Sequence, residues 1–322
     1  MKVVILGKGE MLSNLIEGTI ESGSKIVGVF RYEYTMNDFF LPIKDFFKPA
    51  NDLTLIKKYK LHQIKCDSAN SDEFRRELLK LNADIMLVGT WGEKIDKKTF
   101  DIPVIASVNV HPSLLPKYRG PNPYLQNILH RETKSGLTFH LIDEKFDRGA
   151  IIAQKQIDIF PNDTSKELKE RTVFQARLLC AEVLKKLEYG VVIPIAQNEK
   201  EAVYFPNIKD DDKMLDFESE TAEEIHARIR ALHPWLPTYY TYKDKFFIPN
   251  PYKLKIITAE KGKIGEIIDI DYKNCSITVQ CKDCKALKMD GVKLYGFFNR
   301  PFTNLFIKNL SPSSVLRTPS PT

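Results

Sequence analysis

Short runs rich in Val and Ile alternate with amphipathic stretches through residues 1–190, and this alternation constrains the fold more than any other feature of the chain. Such short apolar runs are typical of parallel strands that are buried on both faces. The stretches between them carry apolar residues at helical spacing, as Met11, Leu15 and Ile16 do within 10–22. This alternation predicts an α/β fold with a doubly wound sheet. The predicted strands are 2–6, 25–30, 84–88, 104–110, 137–142 and 150–159.

Two capping boxes and a change of pattern predict the organisation of the rest of the chain. Thr164 with Glu167 opens a long helix that ends before Tyr189, and Thr221 with Glu224 opens a shorter one. After Tyr239 the pattern changes to short alternating strands, typical of a small β-barrel. We therefore predict an α/β domain at 1–190, a linker at 191–213, a β-barrel domain at 214–310 and a disordered tail at 311–322.

Composition narrows the class of protein. The chain has 322 residues, of which 43% are hydrophobic, and five scattered cysteines, an odd number that favours a reducing compartment over a disulfide framework. No signal peptide or membrane helix is predicted, so we expect a cytoplasmic protein with no membrane partner. The charge is uneven: residues 241–322 hold 14 Lys and Arg against 7 Asp and Glu, whereas residues 1–240 hold 34 against 35. This basic region is compatible with nucleic acid binding or with a merely soluble basic surface.

Asn109 and His111 lie at the end of the predicted strand 104–110. Side chains two residues apart on a strand share a face, and ligands of α/β sheets bind beyond the carboxyl ends of the strands. Asn offers an amide donor, and His offers a proton at physiological pH, so the pair suits stabilisation of a carbonyl oxygen during acyl transfer. An isolated Asn-x-His pair is more often structural than catalytic.

The acidic segment 143–149 is predicted to be a loop between two strands, and it contains Asp147 two residues before Gly149. Acidic residues in such loops are usually solvated or form turns. The alternative interpretation is that Asp147 lies beside the sheet edge and orients His111. Spacing alone leaves both interpretations open.

These motifs resemble the folate-dependent formyltransferases. The signature Asn-x-His-x-Ser-Leu-Leu-Pro-x-x-Arg-Gly occupies residues 109–120, and its companion Asp-x-Gly occupies 147–149. Further segments, at 202–208, 215–217 and 229–235, are similar to the linker and carboxyl-terminal entry of the methionyl-tRNA formyltransferase family. The resemblance extends over residues 1–310.

The resemblance implies a Rossmann-like catalytic domain, an OB-like barrel and 10-formyltetrahydrofolate as formyl donor, with no metal. It implies that Asn109, His111 and Asp147 are catalytic. It also implies two folate-contacting loops, one made of Ser113, Leu114, Leu115 and Pro116 and the other of Gly89, Thr90 and Trp91. The implied acceptor is the α-amino group of charged initiator methionyl-tRNA.

Three departures from the family pattern bear on the acceptor. The segment 32–51 is aromatic where methionyl-tRNA formyltransferases carry a basic, glycine-rich loop. The segment 121–124 reads Pro-Asn-Pro-Tyr, similar to some sugar N-formyltransferases, and Arg148 stands where Thr is usual. A nucleotide-linked amino sugar is therefore the alternative acceptor.

Two alternatives from other classes rest on weaker motifs. Gly7 and Gly9 begin a dinucleotide fingerprint that lacks its third glycine, which leaves an oxidoreductase as a distant alternative. The basic carboxyl-terminal region by itself is compatible with an RNA-binding module without activity. Cys281 and Cys284 have zinc-knuckle spacing without a second pair, so we predict unmetallated hairpin cysteines.

Overall fold

The computed structural model describes residues 1–32, 51–242, 245–259 and 262–294, together with residues 303, 307, 308, 310 and 314–316. By internal packing the chain divides into two compact units. The first comprises Met1–Pro123, Lys134–Asp158 and Lys169–Pro206, and the second comprises Tyr124–Thr133, Ile159–Leu168 and Asn207–Thr322.

A six-stranded sheet forms the centre of the first unit. Its strands are β1 (Lys2–Gly7), β2 (Lys25–Arg31), β3 (Ile85–Gly89), β4 (Ala106–His111), β5 (Lys134–Leu141) and β6 (Ile151–Asp158). The strand order is β2-β1-β3-β4-β5-β6. The first four strands are parallel, and β5 and β6 run antiparallel to their neighbours.

Helices cover both faces of this sheet. They include α1 (Gly9–Glu21), α2 (Asn51–Lys58), α3 (Asp72–Leu81), α4 (Lys97–Phe100) and α6 (Ser165–Glu188), whereas α5 (Pro123–Leu129) belongs almost entirely to the second unit. On one face Val4 and Val88 cluster with Phe74 and Leu78 of α3. On the other face the side chain of Leu15 in α1 lies against the backbone of β3, and the Thr19 hydroxyl of α1 contacts the Cys180 thiol of α6 at 3.8 Å. The predicted doubly wound, Rossmann-like α/β fold is confirmed.

Among its described residues, the second unit contains antiparallel strands and the helix Ala222–Leu232. The elements are α7 (Ala222–Leu232), β7 (Tyr240–Tyr242), β8 (Lys245–Ile248), β9 (Leu254–Thr258), β10 (Ile267–Asp271), β11 (Ser276–Gln280), β12 (Lys285–Met289) and β13 (Lys293–Leu294). They form two sheets, β10-β11-β12-β9 and β13-β8-β7. Tyr240 and Phe247 stack with 5.5 Å between ring centroids, in the same core as Ile225 and Ile229 of α7. The predicted small β domain is confirmed.

The capping box predicted from sequence is complete at the start of α7, and at the start of α6 only its glutamate half forms. The Thr221 hydroxyl accepts from the Glu224 N–H at 3.2 Å, and the Glu224 carboxylate accepts from the Thr221 N–H at 2.8 Å. At α6 the Glu167 carboxylate accepts from the Thr164 N–H at 2.9 Å. These bonds satisfy backbone donors that a helix leaves free at its first turn.

The predicted boundaries at residues 190, 213 and 310 stay a prediction. Residues 33–50 of the aromatic segment, and most of the predicted tail, lie outside the described residues. Within that tail, the N–H of Leu316 donates to the carbonyl oxygen of Gly265 at 2.8 Å, and the carbonyl oxygen of Ser314 accepts from the Ile267 N–H at 2.8 Å. In the part of the chain that the structure describes, no helix is long and apolar enough to cross a membrane.

Neighbouring leucines of α3 test the packing of this helix on the sheet. Leu78 is fully buried and Leu79 is 62% exposed. Leu78→Ala should lower the free energy of unfolding by about 2–5 kcal/mol because it leaves a cavity in the core. Leu79→Ala, the matched control, should change it by less than about 0.5 kcal/mol. Urea titration followed by circular dichroism measures both, and equal effects would contradict the described packing.

Candidate active site

Asn109 and His111 lie at the carboxyl end of β4, where the sheet changes from parallel to antiparallel pairing. In the antiparallel ladder with β5, Asn109 lies opposite His140 and His111 opposite Thr138. Residues directly opposite each other share a face of the sheet. The four polar side chains therefore form one polar surface at the end of β4.

Asp147 reaches this surface from the loop between β5 and β6. Its Oδ1 lies 3.4 Å from Nδ1 of His111 and 3.9 Å from Nε2 of His140. Its Oδ2 accepts a hydrogen bond from the N–H of Gly120 at 3.0 Å. The backbone of Asp147 has φ 55°, a left-handed conformation that is uncommon for a residue other than glycine. The structure thus brings the three predicted catalytic residues together, and their catalytic role stays a prediction.

The ring of His111 is buried between two oxygen atoms. Its Nε2 donates to the carbonyl oxygen of Tyr118 at 2.8 Å, so the hydrogen of the neutral ring is on that nitrogen. The other ring nitrogen then faces the Asp147 carboxylate. A proton that reaches Nδ1 would form an imidazolium flanked by a carbonyl oxygen and a carboxylate. This arrangement suits a group that gains positive charge during a reaction.

His140 orients Asn109. The side-chain amide of Asn109 donates from Nδ2 to Nε2 of His140 at 3.0 Å. Nδ1 of His140 donates to the carbonyl oxygen of Leu141 at 2.8 Å. Burial, and to a smaller extent the neighbouring His111, lowers the pKa of His140 to about 4. His140 is therefore neutral at physiological pH and keeps the lone pair that accepts from Asn109.

The loop that follows β4 holds the four residues Ser113, Leu114, Leu115 and Pro116 against β5 and β6. The Thr138 hydroxyl donates to the Ser113 carbonyl oxygen at 2.6 Å and accepts from the Leu115 N–H at 3.2 Å. The Gln154 side chain donates to the carbonyl oxygen of Leu115 at 2.7 Å. Gly136 allows Leu114 to approach, because a β-carbon there would lie 2.3 Å from the Leu114 methyl carbon. This loop is rigidly attached beside Asn109 and His111.

The other predicted folate loop, Gly89, Thr90 and Trp91, follows β3. Gly89 pairs with Val110 of β4, so this loop emerges next to the site at the same edge of the sheet. Trp91 packs on Phe30 with 5.1 Å between ring centroids, and Thr90 is exposed. Both loops thus leave the carboxyl ends of adjacent strands, as α/β ligand sites do. Contact with folate stays a prediction for all seven residues.

Cys281 is buried beside β11, and Cys284 is exposed in the turn before β12. Burial raises the pKa of the Cys281 thiol to about 12. Within the described residues, no group of three or more His, Cys, Asp or Glu side chains is arranged to hold a metal ion.

Comparison with known proteins identifies the family. The formyl transferase family matches residues 1–184, and the family of formyl transferase C-terminal domains matches residues 207–296. The chain belongs to the formyl transferase family. It is an enzyme family, and membership favours formyl transfer over the dinucleotide-binding oxidoreductase.

Relatives found by sequence are named methionyl-tRNA formyltransferases, whereas a similar solved structure is that of an N-formyltransferase. The chain is 33% identical over 269 residues to the methionyl-tRNA formyltransferase of Koribacter versatilis (strain Ellin345), covering 84% of this chain and 83% of that protein. It is 30% identical over 272 residues to that of Clostridioides difficile (strain 630), covering 84% and 85%. The crystal structure of the N-formyltransferase from Helicobacter canadensis in complex with folinic acid and dTDP-3-aminofucose is similar, with TM-score 0.66 and 20% identity over 92% of this chain and 100% of that one. At that identity the likeness shows the fold alone.

Sequence reasoning missed His140 and Gln197, which both contact the site. His140 and Thr138 alternate along an otherwise apolar predicted strand, and that alternation is a signal that could have marked a polar face. Gln197 lies in the predicted linker, where its polarity is typical of a solvated connection. Its side chain instead donates to the carbonyl oxygens of Asp147 and Gly149 at 2.9 and 2.8 Å.

The low pKa of His140 predicts a loss of stability in acid. An unfolded His titrates near pH 6.5, whereas the folded protein lowers the pKa of His140 to about 4. The unfolded chain binds the additional proton between these values, so stability is lost as pH falls from about 6.5 to about 4. At roughly 1.4 kcal/mol per pH unit, the loss reaches about 3 kcal/mol. His140→Gln retains a donor and an acceptor, and its free energy of unfolding should fall less over this range.

Urea titrations at a series of pH values measure this difference. His62→Gln, a change at an exposed histidine, is the control and should follow the wild-type profile. An equal decline in wild type and His140→Gln would show that His140 is not the group responsible.

Proposed function

We propose that the protein transfers a formyl group from 10-formyltetrahydrofolate to the α-amino group of methionyl-tRNA in the cytoplasm. The observation that carries the proposal is the cluster of Asn109, His111 and Asp147 at the carboxyl end of β4. Its support is identity of 33% to a methionyl-tRNA formyltransferase along most of both chains.

The chemistry follows from the positions of the three side chains. A bond forms between the acceptor nitrogen and the formyl carbon, and the carbonyl oxygen becomes an oxyanion. Asn109 Nδ2 uses one hydrogen on His140 and keeps the second for that oxyanion. A proton on His111 Nδ1 would place positive charge nearby, held by Asp147. The bond from the formyl carbon to N10 then breaks, and the proton lost by the amine passes by way of Asp147 to N10.

The donor side of the site is assigned to the two loops at the edge of the sheet. Loop 113–116 is attached to β5 and β6, and loop 89–91 follows the adjacent strand β3. A folate between these loops would present its formyl group to Asn109 and His111. The structural relative from Helicobacter canadensis contains folinic acid, a formylated folate, which supports a folate donor here. The mechanism requires no metal.

The acceptor assignment rests on the relatives and on charge. The relatives from Koribacter versatilis and Clostridioides difficile are both methionyl-tRNA formyltransferases. Residues 241–322 hold 14 Lys and Arg against 7 Asp and Glu, a surplus that favours a polyanion such as tRNA.

A nucleotide-linked amino sugar is the second candidate acceptor. Its support is the structural likeness to the Helicobacter canadensis enzyme, whose complex contains dTDP-3-aminofucose. The segment 121–124 and the aromatic segment 32–51 also differ from the methionyl-tRNA formyltransferase pattern. The formyl transfer itself would use the same three residues.

Substitution of the three residues tests the mechanism. Asn109→Ala should lower kcat about 10²–10³-fold, the usual effect of losing one oxyanion donor, and His111→Ala should lower it by a comparable factor because the positive charge beside the oxyanion is lost. KM should change little because these contacts strengthen in the transition state.

Asp147→Asn should fold but turn over slowly, since a neutral amide does not support a protonated His111. Steady-state formylation assays measure kcat and KM, with Glu144→Gln in the same loop as control. Near-normal turnover in any of the three variants would remove that residue from the mechanism.

Parallel assays with the two candidate acceptors distinguish between them. The protein is given 10-formyltetrahydrofolate with charged initiator tRNA and, separately, with 4-amino-sugar nucleotides and with dTDP-3-aminofucose. We expect formyl-methionyl-tRNA as the product. The apparent affinity for tRNA should fall steeply as salt rises: the logarithm of the binding constant should decrease with the logarithm of the salt concentration by roughly 0.7–0.9 for each phosphate contact. Formylation of the sugar nucleotides alone, with a shallow salt dependence, would exclude the tRNA proposal and favour the second candidate.

A further inference from the structure

Residues 195–205, here named the clamp segment, run alongside the loop that follows β4 and the loop between β5 and β6. Ile195 and Ile151 exchange backbone hydrogen bonds of 2.8 Å in each direction. Farther along, the N–H of Phe205 donates to the carbonyl oxygen of Arg119 at 2.9 Å. The clamp segment is therefore paired at one end with the start of β6 and at the other with the loop after β4.

Gln197 joins these two loops through a single side chain. Its Nε2 donates to the carbonyl oxygens of Asp147 at 2.9 Å and Gly149 at 2.8 Å. Its Oε1 accepts from Nε and Nη2 of Arg119 at 3.2 and 2.7 Å. Both hydrogens of the amide and its oxygen are thus used, and the contacts fix which way the amide faces.

Glu199 holds the other side of the buried Arg119. Its carboxylate accepts from Arg119 at 2.8 and 3.1 Å and from Nη2 of Arg148 at 2.6 Å. Hydrogen bonding to Arg119, and then to Arg148, lowers the pKa of Glu199 to about 2. Ion pairs of an exposed carboxylate contribute little to stability. The main consequence of this network is therefore the position of Arg119, and through it the position of Gln197.

We propose that Gln197 is a positioning residue that fixes the backbone around Asp147 and so sets the distance between Asp147 and His111. Asp147 has φ 55°, and a strained conformation of this kind persists only where the surroundings determine it. The carbonyl oxygen of Asp147 and that of Gly149 are both held by the Gln197 amide. The inference rests on the proposed function, because it takes Asp147 to be catalytic.

Gln197→Glu tests the proposal in the full-length protein. The variant keeps an oxygen facing Arg119 but replaces the amide donor with an oxygen that faces two carbonyl oxygens. We expect kcat to fall about 10–100-fold, the effect of a misplacement near 1 Å. KM for donor and acceptor should stay within about twofold, because ground-state binding is untouched. Gln197→Met removes both hydrogen-bonding ends without adding charge and should give the same loss of kcat. Ile193→Ala, at a position that is 85% exposed, is the control and should keep the wild-type kcat.

A double-mutant cycle with Asp147→Asn separates positioning from a general structural effect. If Gln197 acts through Asp147, Gln197→Glu slows the Asp147→Asn variant far less than it slows the wild type. Equal slowing in both backgrounds would overturn the proposal. Wild-type turnover of Gln197→Glu beside an inactive Asp147→Asn would overturn this inference alone. Wild-type turnover of Asp147→Asn would overturn the proposed function and this inference with it.

Discussion

In the β4–β5 ladder, Asn109 lies opposite His140 and His111 opposite Thr138, and every other group of the site is placed relative to these two pairs. Strand side chains alternate between faces, so a slip of one residue would exchange this polar face for the apolar one. That exchange is opposed by the packing of the alternate residues of the two strands. They are Val108, Val110, Leu137 and Phe139, all buried. Burial of a Val, Leu or Phe side chain is worth roughly 1.5–3 kcal/mol, so hydrophobic packing on one face fixes the chemistry on the other.

Polar groups at the site also form hydrogen bonds with one another in the absence of substrate. Neutral His140 takes a hydrogen from Asn109, the Tyr118 carbonyl oxygen takes one from His111, and Asp147 accepts from the Gly120 backbone. Displacing any one of these groups would leave a buried polar atom without its partner, which is costly in a region of low dielectric. The dipoles are therefore oriented in advance. Preorganisation of this kind lowers a reaction barrier because the groups do not reorganise as charge develops.

Local features of the chain were predictable, and long-range pairing was not. The capping residues Thr164 and Thr221, the buried strands and the shared face of Asn109 and His111 all follow from spacing over a few residues. His140 is 31 residues from Asn109, and Gln197 is 50 residues from Asp147. Their contacts depend on strand register and on the path of the chain after α6, which no local pattern encodes. Asp147 is an intermediate case. Local sequence predicts its loop, whereas its position 3.4 Å from His111 depends on the folded sheet.

The polar face at the end of β4 contains nothing that depends on the molecule to which the amine belongs. In the proposed mechanism Asn109, His111 and Asp147 act only on a formyl group and a nitrogen, so selection of the acceptor has to come from outside the cluster. Charge separates the two candidate acceptors. Residues 1–240 hold 34 Lys and Arg against 35 Asp and Glu, so this part of the chain by itself offers little attraction to a polyanion. Residues 241–322, with 14 against 7, supply it, and each phosphate neutralised by a Lys or Arg adds affinity through counterion release. A nucleotide-linked sugar has few phosphates and gains little from such a region. The charge of residues 241–322 and the loops around the site can therefore select the acceptor without any change in the β4–β5 register or its polar face.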